Sequence, residues 1–251
     1  MHKLFYKYLF KLLSILGVSG SFSADGEDYI LIKYLSGLED GLYIDIGSHK
    51  PIKHSVTYPL YMMGWHGLCV DPLPLLRKRY QKFRKNDVFL NVGVSNDSSL
   101  GDKQFLEFYY YKKHPDNSTF DRKQVDMLEN IYDRTPSSIN HVPVISVEKL
   151  LDIYKLRINA DKTVHLLNLD VEGGELNILK NIFINKVFPW FICVEELGFV
   201  AEDLSKSAVN QLVSGNGYIL VAKTFLSSIY MRRDVGKCLN SSFVKSLKIN
   251  T

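Results

Sequence analysis

Acidic residues recur where short apolar runs end. Asp45 sits in Leu42-Tyr43-Ile44-Asp45-Ile46, just before Gly47. Asp71 follows Gly67-Leu68-Cys69-Val70, Asp170 follows the run from Val164, and the Glu195-Glu196 pair follows the run from Phe188. Continuous apolar runs of this length fit strands buried on both faces, as in a parallel sheet. Their carboxyl ends then share one sheet edge, the edge where ligands of open α/β sheets bind. Several acids converging there are costly unless they meet a ligand or a cation. Gly47 allows the backbone to approach a ligand closely, and Asp45 can accept hydrogen bonds from it. Asp71 stands where nucleotide sites accept hydrogen bonds from ribose hydroxyls. Asp170, Glu172, Glu195 and His49 are groups able to exchange a proton. Each feature also has a plainer reading. Asp and Gly serve turns, and Glu172 and Glu175 suit the first turn of a helix, where the dipole favours acids. His54, His66, His114, His141 and His165 have no partner pattern and read as structural, and no ligand spacing supports a metal.

The turn after the first strand narrows the ligand. A dinucleotide fold wants Gly-x-Gly-x-x-Gly to admit a pyrophosphate. Here the stretch is Gly47-Ser48-His49-Lys50-Pro51-Ile52. One glycine followed by a proline fits an adenosyl ligand without phosphates better.

Alternating elements must position these groups. A helix from about Asp25 to Gly37 precedes the first strand. Pro51 to Met63 reads as helical, and Pro72 and Pro74 open a further helix with Leu76, Tyr80 and Phe83 on one face. Its other faces carry Arg77, Lys78, Arg79, Lys82, Arg84 and Lys85, read as a solvated surface. Asp87 to Val94 is a third strand. Residues 96–141 break the alternation with an aromatic stretch, Phe105 to Tyr111, a loop at 112–120, and a short helix from Gln124 to Tyr132 ended by Pro136. Such insertions often carry substrate recognition. A short edge strand at Val142–Ile145, a helix capped by Ser146, and two further strands with helices at 175–184 and 203–214 follow. Tyr218–Ala222 and Phe225–Tyr230 lie too close for a helical crossover and read as an antiparallel pair. The expected fold is α/β and Rossmann-like: a mostly parallel central sheet, an antiparallel terminal pair, and helices on both faces.

Composition sets bounds on this reading. The chain has 251 residues, with 46% hydrophobic, 23% charged and a net charge of +4. That favours one globular domain over widespread disorder and does not call for nucleic acid. The expected organisation is an extension at 1–24, a domain at 25–234 containing the 96–141 insertion, and a tail at 235–251. Cys69, Cys193 and Cys238 form no disulfide or metal framework, which fits a reducing cytoplasm. Lys3, Lys7 and Lys11 interrupt the apolar run Leu4–Val18 at helical spacing. A helix docked on the domain is the simplest reading. Peripheral contact with an anionic membrane and a signal peptide are the alternatives.

Two groups of residues, in order, resemble a known family. Asp45-Ile46-Gly47, Pro51, Ser55, Thr57-Tyr58, Gly64-Trp65, Gly67, Asp71-Pro72 and Pro74 form the first. Leu169-Asp170-Val171-Glu172-Gly173, Glu175 and Leu179-Lys180 form the second, followed by Pro189 through Glu195. With Ser118-Thr119-Phe120 and Val147 to Leu151, the chain resembles the FkbM-type methyltransferases from about Asp25 to Asp234. The resemblance implies a class I methyltransferase fold, S-adenosylmethionine as donor, and a sugar or other small-molecule hydroxyl as acceptor. It implies donor contacts from Asp45, Gly47, Ser48, Asp71, Pro72, Asn91, Val92, Gly93 and Asp170, with Asp170 and Glu172 facing the reacting methyl. An alcohol acceptor needs a positioned base, for which Asp170, Glu172, Glu195 and His49 are the candidates. His49-Lys50 stands where the family usually shows Asn-Asp, His66 where arginine is usual, and Leu73 where asparagine is common. Those departures place any private acceptor contact near His49. Two rival functions remain distinct: a nicotinamide-dependent oxidoreductase, and a non-catalytic adenosyl-binding or membrane-associated relative.

Overall fold

A computed structural model describes residues 20–73, 75–95, 105–158, 163–196, 204–237 and 239. The amino-terminal helix read at Leu4–Val18, Pro74, the insertion's start at 96–104, Asp203 and the tail beyond 239 lie outside the described residues.

The apolar runs form a seven-stranded sheet. Its strands are β1 (Leu42–Ile46), β2 (His66–Val70), β3 (Val88–Leu90), β7 (Leu166–Leu169), β8 (Phe191–Glu195), β9 (Tyr218–Lys223) and β10 (Ser227–Arg232). The spatial order is β3-β2-β1-β7-β8-β10-β9. Every neighbouring pair from β3 to β8 is parallel, while β10 runs antiparallel to both β8 and β9. The chain steps outward from β1 to β2 and β3, then returns to β7 on the other side of β1. The crevice between β1 and β7 is therefore the topological switch point, where α/β sheets bind ligands.

Side-chain alternation gives the sheet two cores. Ile44 and Ile46 of β1 face a cluster that includes Leu150 and Leu151 of α5 (Val147–Arg157), Ile178 and Leu179 of α6 (Glu175–Ile184), and Val213 of α7 (Ala208–Gly215). Tyr43 faces the opposite cluster, with Leu31 and Leu35 of α1 (Glu27–Leu35), Leu60 of α2 (Tyr58–Met62), and Leu76 and Tyr80 of α3 (Leu76–Phe83). Each fully buried Leu or Ile contributes roughly 1.5–3 kcal/mol relative to exposure, so apolar burial fixes both faces.

Four expectations need correction. The third strand does not run on to Val94. It ends at Leu90, and Gly93–Val94 forms β4 in a second sheet. The Asn91 side chain donates to the carbonyls of Asp71 (2.8 Å) and Leu73 (2.9 Å), and a Cβ at Gly93 would lie 2.6 Å from Phe120. The chain turns out of the main sheet there. Val142–Ile145 is not a short edge strand but the end of β6 (Ser138–Ile145), the centre of the second sheet, between β4 and β5 (Phe105–Tyr110). Its outer half is polar or exposed, so apolar content did not reveal it. Between Pro51 and Met63 only α2 is helical, because His54 takes a left-handed conformation at φ 59° and Ser55 N–H donates to the Phe22 carbonyl. Finally, Arg84 is not on a solvated face.

Arg84 is 1% exposed and ties together a polar network inside the second core. Its guanidinium donates to Asp87 (2.6 Å), Tyr43 Oη (2.7 Å), Thr57 Oγ1 (3.0 Å) and Ser55 Oγ (3.2 Å). Thr57 Oγ1 in turn donates to Asp45 at 2.5 Å. A fully satisfied network of this kind holds a unique core geometry.

Candidate active site

The carboxyl ends of β1, β2, β7 and β8 open into a cavity of about 970 Å³. That is near the upper end of the roughly 300–1,000 Å³ of small-molecule sites, space for a ligand and a second reactant. One wall belongs to the main sheet, the other to the insertion, through Phe105, Phe108, Tyr109, Phe120 and Asp121.

The β1–β2 end forms a backbone cradle. Gly47 has φ 80°, and a Cβ there would sit 1.5 Å from the Asp170 carbonyl oxygen, so only glycine fits. Gly47 and Ser48 N–H both donate to the Val70 carbonyl. Ser48 lines the cavity, is 3% exposed, and its hydroxyl lacks a protein partner. A buried hydroxyl left in that state invites a ligand. Asp71 accepts from the His49 N–H (2.9 Å) and the Leu73 N–H (2.8 Å). Burial nonetheless pushes its carboxyl up to about 7, with Asp45 adding a smaller push.

Asp45 lines the cavity too, but both its oxygens are engaged, one by Thr57 and one by Asn168 Nδ2 at 2.9 Å. Burial raises its pKa despite the opposing pull of Arg84. Pro72, Val92 and Gly93 are lining residues. Asn91 is not; it braces the 71–73 turn from behind.

The β7–β8 end holds the acid/base groups. Leu169 pairs with Val194, so the next residues, Asp170 and Glu195, are neighbours across the parallel ladder. Glu172 joins them, and one carboxylate oxygen from each lies within 4.8 Å of the others. The Asp170 and Glu195 carboxyls are close enough to influence one another's protonation. Desolvation in the cleft, then repulsion from Glu195, Glu172 and Glu175, holds Asp170 well above the carboxylate range. Desolvation, then Glu175, pushes Glu195 up to about 7. Asp170 is accessible within the cavity although protein surrounds it. The pair therefore retains a proton near neutrality. A divalent cation could also span three carboxylates at this spacing, since Glu195 supplies the third ligand that Asp170 and Glu172 lacked along the chain.

His49 sits at the other end of the cavity, at φ 42°, and its main-chain N–H serves Asp71. Glu175 is a structural acid: its carboxylate accepts from the N–H groups of Val171 (3.1 Å) and Gly173 (3.0 Å). His165 is also structural, accepting from Leu42 N–H at 3.0 Å and lying between Trp65 and Trp190, whereas His54 and His141 line the cavity.

Sequence reasoning missed the groups that hold Glu172. The residue is left-handed, at φ 57°. Its carbonyl accepts from Thr119 Oγ1 at 2.7 Å, and its carboxylate accepts from Gln124 Nε2 at 2.5 Å. Gln124 belongs to α4 (Arg122–Tyr132), whose N-cap Asp121 accepts from the Lys123 N–H. It carried no signal beyond its place in a helix. Thr57, Arg84 and Asn168 were equally invisible as partners of Asp45, because they are remote from it in sequence.

The order 3-2-1 followed by return across strand 1, with an antiparallel strand inserted near the far edge, is the arrangement of Rossmann-like class I methyltransferases. Residues 45–220 match the methyltransferase FkbM domain, and the chain belongs to that family. A search of curated proteins returned no match. Among solved structures, the chain is similar to a TehB-like SAM-dependent methyltransferase from Corynebacterium glutamicum. The two share 13% identity at a TM-score of 0.36, over 92% of this chain and 98% of the other.

Among the described residues, no helix is long and apolar enough to cross a membrane.

Proposed function

We propose that this protein transfers a methyl group from S-adenosylmethionine to a hydroxyl of a sugar, glycan or related metabolite. One observation carries the reading: the Gly47–Asp71 cradle and the Asp170–Glu195 carboxyl pair open into the same cavity. When bound, S-adenosylmethionine supplies an electrophilic methyl on a sulfonium. Gly47 lets the Asp170 backbone close against the cradle, the Ser48 hydroxyl would gain a partner, and Asp71 keeps lone pairs that would serve two ribose hydroxyls. Pro72, Val92 and Gly93 form the adjoining wall.

The carboxyl pair handles the proton. The acceptor oxygen would take the methyl as its bond to sulfur breaks and S-adenosylhomocysteine leaves, and the hydroxyl hydrogen would pass to the ionised member of the Asp170–Glu195 pair. Burial and the nearby Glu175 bring Glu195 to near neutral pH, where a base is most effective, and the neighbouring Asp170 carboxyl opposes that rise. Phe105 and Phe120 of the insertion supply apolar surface for the C–H face of a sugar, while Phe108 belongs to the core behind them.

Calorimetry with S-adenosylmethionine and with a nicotinamide dinucleotide, then incubation with labelled donor and hydroxyl-bearing acceptors, tests this. Donor binding with mass-identified methyl ether product is the expected result. Binding of dinucleotide alone would replace the proposal with an oxidoreductase.

A further inference from the structure

Two charged groups of the interior, Asp45 and Arg84, are each 1% exposed and are joined through one hydroxyl. Arg84 Nη2 donates to Thr57 Oγ1 at 3.0 Å, and Thr57 Oγ1 donates to an Asp45 oxygen at 2.5 Å. A guanidinium can only donate, so it fills the acceptor side of the Thr57 hydroxyl and directs the hydroxyl hydrogen at the carboxylate. Asn168 Nδ2, opposite Asp45 in the strand register, donates to the other Asp45 oxygen at 2.9 Å. Each oxygen thus has one protein donor and keeps lone-pair capacity. Arg84 is the single buried arginine or lysine among the described residues. Its ion pair with Asp87 does not cancel its effect on Asp45, where the pull of Arg84 exceeds the push of Asp87.

We propose that Thr57 and Arg84 are positioning residues for the donor: they hold the Asp45 carboxylate as an oriented anion whose free lone pairs receive the donor's ammonium group. The inference rests on the methyltransferase reading and assigns that reading a device outside the cavity. Neither Thr57 nor Arg84 lines the cavity, whereas Asp45 does. A carboxylate this deeply buried is costly as an anion unless it is both hydrogen-bonded and paired with a cation. Thr57 and Asn168 meet the first need, and Arg84 meets the second from behind. Seven carboxylates line the cavity and, among the described residues, no lysine or arginine does, so a cation in front of Asp45 has to arrive with the ligand. S-adenosylmethionine brings two. Methyl transfer sets its sulfonium beside the acceptor hydroxyl and the Asp170–Glu195 pair, which leaves its ammonium for Asp45. The other lining acids are less fit for that task. Asp71 and Glu195 titrate at about 7, and Glu172 is engaged by Gln124.

The test is calorimetry on the full chain with S-adenosylhomocysteine and with its deaminated analogue, which keeps the adenosine, the sulfur and the carboxylate but lacks the amino group. The wild type should bind the analogue at least about tenfold more weakly, as expected for loss of a hydrogen bond between charged groups. Thr57→Val removes the relay while leaving Arg84 its bonds to Asp87, Tyr43 and Ser55. It should weaken S-adenosylhomocysteine by about tenfold or more yet leave the analogue within about threefold of wild type, and Thr57→Ser should restore the difference. Arg84→Met should show the same selective loss. A merely structural role would weaken both ligands alike. Equal binding of the two ligands by the wild type would overturn the inference, and that arm decides even where a variant fails to fold. Equal loss of both ligands in Thr57→Val, or loss of neither, would also overturn it. A wild type that binds neither ligand would instead defeat the methyltransferase reading.

Discussion

Single residues decide whether this site can work at all. Gly47 is the sharpest case, because any side chain collides with the Asp170 carbonyl. Gly47→Ala should abolish donor binding measured by calorimetry, with a loss of stability of order 1–3 kcal/mol on denaturant unfolding. Asp170→Asn and Glu195→Gln should each lower kcat by about 10²–10⁴-fold while donor affinity changes little. In the wild type, kcat should rise with pH through about 7 as Glu195 ionises, and Glu195→Gln should remove that limb. Donor binding adds a further signature. A sulfonium near the pair favours its ionised form, so binding near pH 7 should release protons. Calorimetry in buffers of different ionisation enthalpy would detect the release, and Glu195→Gln should diminish it. These acids were visible in the sequence because each ends an apolar run. Their coupling was not, since the Leu169–Val194 register that makes Asp170 and Glu195 neighbours is set by strand pairing.

At the scale of elements, the insertion is fastened to the loop after β7 as well as packed beside it. Thr119 bonds the Glu172 carbonyl, Gln124 bonds its carboxylate, and the Asp121 side chain lies where a Cβ at Gly173 would touch it at 3.3 Å. Gln124 is thus a positioning residue for Glu172. Gln124→Ala should reduce kcat by about tenfold to a hundredfold at unchanged donor affinity, and Gln124→Asn should restore little, being one methylene short of the 2.5 Å contact. The strand–helix alternation and antiparallel end were legible from run lengths and spacing. The second sheet was not. β4 is only Gly93–Val94, and half of β6 is solvent-facing, so neither had a strand's apolar signature. The basic helix misled in one position. Arg84 looks like its neighbours in sequence, but it closes α3 by turning inward to Asp87. Arg84→Met leaves Asp87 buried without its cation, with only the Tyr43 hydroxyl and the Gly67 N–H donating to it, and should cost about 3–5 kcal/mol in denaturant unfolding.

For the whole molecule, the acid-lined cavity makes stability depend on pH. Asp71 and Glu195 have folded pKa values near 7, against ordinary values of 3.8 and 4.5. Raised pKa values mean the folded state holds these protons more tightly than the unfolded chain. Their contribution is full below pH 4 and is lost as pH rises through 7. Urea midpoints should therefore fall over that interval, and the combined Asp71→Asn and Glu195→Gln variant should show a flatter profile. The two-faced core was readable from β1 alone, where Ile44 and Ile46 alternate with Tyr43 and Asp45. The cavity's charge was not, because it is assembled from residues as distant as Asp45 and Glu195 and opposes the chain's overall sign. The fastening between Glu172 and Gln124 has a consequence for recombination among relatives. Residues 105–145 and the loop at 170–174 form one unit of exchange. A chimera that receives a foreign insertion without its matching loop should still load the donor yet turn over slowly, and transplanting both together should move acceptor choice intact.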